Sequence, residues 1–213
     1  MLDDIKIVKP EDIEGKSMEI IMDLMEEKKW QEPELSVVRR CIHTSADFEY
    51  EKNLCFSDQA VSKGIRALRN GADIVTDTRM AMAGINKRKL AYYGGLVHCF
   101  IDEESVIREA KERGVTRSAI CMERGAKIKK PVIFVIGNAP TALIHLYELI
   151  QEKKVRPELV VGVPVGFVNV VESKELMMKA DVPWIIAKGR KGGSNIAAAI
   201  CNALLYYKEK VDF

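Results

Sequence analysis

The stretch PVIFVIGNAPTALIHLYELIQEKK, residues 131–154, decides the fold. An apolar, β-branched run of strand length ends at Gly137. A helical pattern then opens with Pro140 in its first turn, where a missing N–H leaves no bond unmade. The same layout recurs twice downstream. LVVGVPVGF leads into a helix through VESKELMMKA. VPWIIAKG passes through RKGGSN into NIAAAICNALLYYKEK. Strands without polar alternation are covered on both faces. Their alternation with helices indicates a parallel sheet with helices on both sides.

Upstream of this stretch the pattern continues. ADIVTD and GGLVHCFID read as two further buried strands. GKSMEIIMDLMEEKKW reads as an amphipathic helix with Ile21, Leu24 and Met25 on its apolar stripe. PELSVVRRCI is a second helix that ends near His43, where HTSAD offers cap and turn residues. SDQAVSKGIRALRNG is a third, with Ser57 as its N-cap and Gly71 as its stop. No linker, repeat or low-complexity segment divides the chain, so residues 1–213 are expected to form a single domain.

Composition narrows the function. A net charge of +2 on 213 residues gives no field that makes nucleic acid the expected partner. The N-terminus lacks a signal-peptide layout, and IAAAICNALLYY is too short to span a membrane. A soluble cytoplasmic protein without a membrane partner is the expectation. Five scattered cysteines form no CxxC pair and no zinc-spaced cluster with histidine, so no metal site is expected. Cys41 and His43 lie two apart and would point to different helix faces.

In a parallel α/β sheet, ligands bind beyond the carboxyl ends of the strands. Three joints lie there: VIGNAPTA, GVPVGFVN and KGRKGGSN. Each has glycine at the turn and leads into a helix N-terminus, whose free N–H groups attract anions. KGRKGGSN is neither a dinucleotide nor a P-loop fingerprint, which argues against a nucleotide-dependent oxidoreductase.

IHTSADFEY, AGINK, RGVTRSA, IGNAPTAL, VGVPVGFVNVVESKE and GRKGGSN occur in this order. Together they resemble the precorrin-8X methylmutases, over a span from about Ser17 to about Leu205. The resemblance implies a three-layer α/β/α, flavodoxin-like fold and a homodimer. It implies an isomerase of cobalamin biosynthesis that moves a methyl group between adjacent ring carbons of a tetrapyrrole. The product is hydrogenobyrinic acid, or cobyrinic acid when cobalt is already in place. No external cofactor is implied, and cobalt, if present, belongs to the substrate. IHTSADF resembles the branch that acts on cobalt-precorrin-8. Neighbouring enzymes of the pathway are further possible partners.

The resemblance also assigns residues. His43 matches the proton donor, and a group that titrates near neutrality suits protonation of a conjugated ring. Ser17 and Arg40 match substrate-contacting positions, and Arg117 a further arginine at the site. Arginine suits the carboxylates that rim the substrate. Asn86 falls where relatives carry threonine and offers an amide instead. Asn138, Gly192, Gly193 and Ser194 would supply hydrogen bonds and close backbone approach. The valines and phenylalanine of GVPVGFVN would line a slot for the flat ring. His98 reads as a strand residue and His145 as a packed residue at a helix boundary. Two alternatives stay open: a non-catalytic corrinoid carrier with the same fold, and an anion-binding regulatory module.

Overall fold

A computed structural model describes residues 9–27 and 29–208. Residues 1–8 and 209–213, which hold much of the N-terminal stretch and the end of the tail, lie outside the described residues. The helices are α1 (Ile13–Leu24), α2 (Glu34–Ser45), α3 (Tyr50–Asn53), α4 (Ala60–Arg69), α5 (Arg79–Gly84), α6 (Lys87–Tyr92), α7 (Glu104–Arg113), α8 (Arg117–Ala126), α9 (Pro140–Gln151), α10 (Val170–Met177) and α11 (Ser194–Tyr206). The strands are β1 (Leu54–Phe56), β2 (Asp73–Thr76), β3 (Val97–His98), β4 (Val132–Ile136), β5 (Leu159–Gly162) and β6 (Trp184–Ala187).

One sheet holds all six strands, in the order β1-β6-β5-β4-β2-β3. From β3 to β6 every pairing is parallel. Taken in chain order, these strands follow the flavodoxin arrangement, with the chain's reversal of direction between β2 and β4. Successive side chains of β4 part to opposite faces, as pleating requires. Ile133 and Val135 join a core with α2, α4 and α11, while Val132, Phe134 and Ile136 join a second core with α8 and α9. Burial on both sides is why these runs carry no polar alternation.

Three expectations need correction. The sheet is mixed, because β1 pairs antiparallel with β6 at the edge. Only three residues long, Leu54–Phe56 has too little pattern to read as a strand. Ser57 does not cap α4. Its N–H and hydroxyl face Trp184 and extend the β1–β6 pairing, and Gln59 precedes α4 in a left-handed conformation. Leu24 is exposed, since the buried stripe of α1 runs through Met18, Ile21, Met22 and Met25. Gly71 does follow α4 with positive φ, as a helix stop does.

Candidate active site

The loops beyond the carboxyl ends of the strands are stitched to one another. Asp77, just after β2, is buried. Its carboxylate accepts the N–H groups of Gly137, Asn138 and Ala139 at 2.9, 2.9 and 2.7 Å. Burial pushes the Asp77 carboxyl up from its ordinary value, and the three donors oppose that rise. Next to it, the Thr78 and Ser194 hydroxyls share a 2.7 Å hydrogen bond. Gly193 N–H donates to the Val163 carbonyl at 2.8 Å, and Gly166 N–H to that of Arg190 at 3.3 Å. A Cβ at Gly192 would sit 2.1 Å from the Val163 oxygen, so this crossing admits only glycine. Gly193 has φ +123, outside the range of ordinary L-residues.

These contacts sort the three joints. The anion that VIGNAPTA attracts is internal: Asp77 occupies its N–H groups, so this joint is not an open anion site. GVPVGFVN turns apolar side chains outward, with Phe167 86% and Val168 78% exposed. KGRKGGSN keeps donors to spare. The N–H groups of Arg190, Lys191 and Gly192 meet no acceptor among the described residues.

His43 occupies the last turn of α2 and is exposed. The polar residues around it are spent on the helix end. Thr44 and Ser45 hydroxyls donate to the carbonyls of Arg40 and Cys41 at 2.8 Å. Ala46 takes the left-handed conformation and donates to Ile42. Asp47 N–H bonds the Ser45 hydroxyl, and Glu49 N–H bonds the Asp47 carboxylate. The His43 ring has no partner among the described residues. Cys41 points the other way, fully buried, and burial pushes its thiol far up, so it cannot serve as a nucleophile beside His43. Lys191 of the KGRKGGSN loop reaches Asp47 at 2.6 Å and Glu49 at 3.0 Å. Those two pairs hold the histidine-bearing helix end against the loop with free donors.

One turn before His43, Arg40 opens onto a cleft of about 880 Å³. Its walls include Thr44, Gly84, Asn195, Asn202 and Tyr206. Arg40 pairs with Glu14 at 2.7 Å. Ser17, one turn along from Glu14, donates its hydroxyl to the Ile13 carbonyl. Asn86 borders the same region with its amide engaged. Its oxygen caps α6 through Lys89 N–H, its nitrogen donates to the Tyr206 hydroxyl, and its own N–H donates to Asn202.

Arg117 and Asn138 stand apart from this group. Arg117 opens α8 on the other face of the sheet, exposed, 3.5 Å from the Ile101 carbonyl. The neighbouring Thr116 and Thr141 hydroxyls join α8 to the first turn of α9. Asn138 projects an exposed side chain from the β4–α9 loop. No contact among the described residues links either to His43. His98 pairs with buried Asp73, and His145 lies between Glu123 and Glu148, so both have structural partners.

Three participants escaped the sequence reading: Asp47, Asp77 and Lys191. Asp77 did leave a signal, a carboxylate at the end of an apolar strand in ADIVTD, which must find donors inside. The others look like ordinary surface charges in a single sequence.

The family model described as precorrin-8X methylmutase matches residues 12–207. The chain belongs to the precorrin-8X methylmutase family. The matched span takes in every residue of the site just described. Among its relatives is the cobalt-precorrin-8 methylmutase of Salmonella typhimurium, 45% identical over 207 residues, or 94% of this chain and 97% of the relative. The cobalt-precorrin-8 methylmutase of Priestia megaterium is 42% identical over 197 residues, or 92% and 88% of the two chains. The crystal structure of precorrin-8x methyl mutase from Thermus thermophilus superposes with a TM-score of 0.84 at 38% identity, covering 91% of this chain and 96% of that one. As a precorrin-8X methylmutase the chain is an isomerase of cobalamin biosynthesis. Among the described residues, no helix is long and apolar enough to cross a membrane.

Proposed function

We propose that this methylmutase takes cobalt-precorrin-8, moves one methyl group to the adjacent ring carbon and releases cobyrinic acid, with His43 as the acid. One observation carries the reading: an exposed, unengaged imidazole is tied through Asp47 and Lys191 to a loop with unused N–H donors. Exposed Phe167 and Val168 stand on the same rim. A flat macrocycle with carboxylate side chains needs this combination: apolar contact for its faces, donors for its edge and a proton source between.

The step is an isomerisation. A carbon–carbon bond to the methyl group breaks as its neighbour forms, and no electrons are gained or lost. His43 gives a proton to the conjugated system and takes it back as the corrin forms. Positioned proton transfer of this kind contributes roughly 10²–10⁴-fold. Arg40 serves the carboxylate rim once substrate displaces Glu14, and Ser17 and the Gly192–Ser194 loop complete the contacts on that side. The amide of Asn86 orients Tyr206 rather than relaying a proton.

Cobalt enters as part of the substrate. The IHTSADF resemblance and the names of the relatives above support the cobalt form. The reading also includes a cytoplasmic homodimer and hand-over of product to the next enzyme of the pathway. Incubation with cobalt-precorrin-8, followed by visible absorption, tests it, because corrin formation changes the conjugation. A band shift is expected. Tight binding without a shift would favour a corrinoid carrier.

A further inference from the structure

Lys174 lies on α10, inside the molecule, with 1% of its surface exposed. Its ammonium donates to the carbonyls of Gly189 and Lys191, both at 2.8 Å. No carboxylate pairs with it among the described residues. A buried cation held only by carbonyls is unusual, because lysine is rarely buried unless paired. Burial pushes its pKa down to about 8.

The two carbonyls determine what the loop shows on its other side. A trans peptide places its C=O and N–H in opposite directions, and the one cis bond among the described residues is Glu32–Pro33. With the Gly189 and Lys191 oxygens drawn inward to Lys174, the N–H groups of Arg190 and Gly192 face away from it. These are two of the donors that meet no acceptor among the described residues. The intervening peptide is turned the other way, its Arg190 oxygen accepting from Gly166. The loop is therefore set in the orientation that presents donors outward.

Charge acts in the same sense. A cation without a counter-ion beneath a loop attracts an anion above it, and low local dielectric strengthens that attraction. Asp77 does the converse at the neighbouring loop, drawing N–H groups inward with a buried carboxylate.

We propose that Lys174 is a positioning residue for the substrate's carboxylates: it holds the Gly189 and Lys191 carbonyls inward so that Arg190 and Gly192 N–H groups receive them. This rests on the methylmutase reading. It adds a selectivity for carboxylate-bearing over neutral macrocycles that comes from a residue which does not touch the substrate.

The test uses cobyrinic acid and its fully methyl-esterified form as probes of the full chain. Lys174→Met is expected to weaken binding of the acid about tenfold or more and to leave the ester unchanged. Lys174→Arg, which keeps charge and donors, is expected to retain binding of the acid. In the wild type, the amide signals of Arg190 and Gly192 should shift in an amide correlation spectrum with the acid and not with the ester. If Lys174→Met does not fold, that amide response decides. Equal loss of acid and ester, unchanged binding of the acid, or silent Arg190 and Gly192 amides would each overturn the proposal. A wild type that binds no cobyrinic acid at all would instead overturn the methylmutase reading beneath it.

Discussion

The Lys191 ammonium lies 2.6 Å from the Asp47 carboxylate, and this pair joins the end of α2 to the β6–α11 loop. The two residues are far apart in the chain but flank the two halves of the site, His43 and the Gly192–Ser194 loop. The Lys191 hydrogen bond holds the Asp47 carboxyl below its ordinary value. As a partly exposed pair it adds little to stability, about 1 kcal/mol or less. Its effect lies in placement. Asp47→Ala should leave the melting temperature nearly unchanged and lower turnover roughly tenfold, since misplacement of an acid is costly in rate. Raising the salt should reproduce part of that loss in the wild type and none in the variant. Paired melting and turnover assays at low and high salt check this.

Removing the internal anion should affect folding. Asp77→Ala leaves three N–H groups of the β4–α9 loop without an acceptor. Hydrogen bonds to a buried charge are worth about 1.5–3 kcal/mol each in net stability, so a loss of at least about 3 kcal/mol is expected. Denaturant unfolding measures it. A change under 1 kcal/mol, on the order of a surface substitution, would contradict the account of this loop.

Two glycines of one loop should respond differently to alanine. At Gly192 a Cβ meets the Val163 carbonyl at 2.1 Å, and a backbone oxygen cannot rotate aside. Gly192→Ala should cost about 1–3 kcal/mol or more and disturb the loop. At Gly189 nothing stands within 4 Å, and only φ +75 opposes a side chain. Gly189→Ala should cost roughly 1–2 kcal/mol through backbone strain alone. Comparison of the two melts, together with binding of cobyrinic acid, separates collision from strain.

The acid limb of stability has an identifiable contributor. Arg113, and after it His145, hold the Glu123 carboxyl at about 2, down from 4.5. A carboxyl whose folded pKa is depressed adds stability above its unfolded value. That contribution is lost as the pH falls from about 4.5 towards 2. The site is open enough to water that solvent screening reduces its size. Glu123→Gln should therefore flatten the fall in stability over this window and leave methyl transfer at neutral pH intact. Denaturant midpoints across the window check it.

How much of this was legible depends on where the partners lie. β4, β5 and β6 were readable because each is a short apolar run, buried on both faces, that breaks into a turn. β1 was not, because three residues carry no period and their partner, Ile185–Ala187, lies far down the chain. His43, Arg40 and Ser17 come from the family resemblance, and the structure places them on neighbouring helices. In sequence the three joints look alike as anion sites, because glycine before a helix looks the same whichever anion fills it. Only the packed structure shows that Asp77 fills one, that another turns apolar side chains outward and that Lys174 binds two carbonyls of the third. Ser57 misled for a related reason: its hydroxyl suits a helix cap, but an edge strand claimed it first.

The role of His43 is tested by comparing wild type with His43→Ala on cobalt-precorrin-8 in a single turnover followed by visible absorption. His43 is exposed and makes no contact that the fold requires, so the variant should melt like the wild type and bind the macrocycle. A corrin band shift is expected in the wild type, slowed by roughly 10²–10⁴-fold in the variant. Equal rates in the two proteins would contradict that role and move the acid elsewhere on the rim.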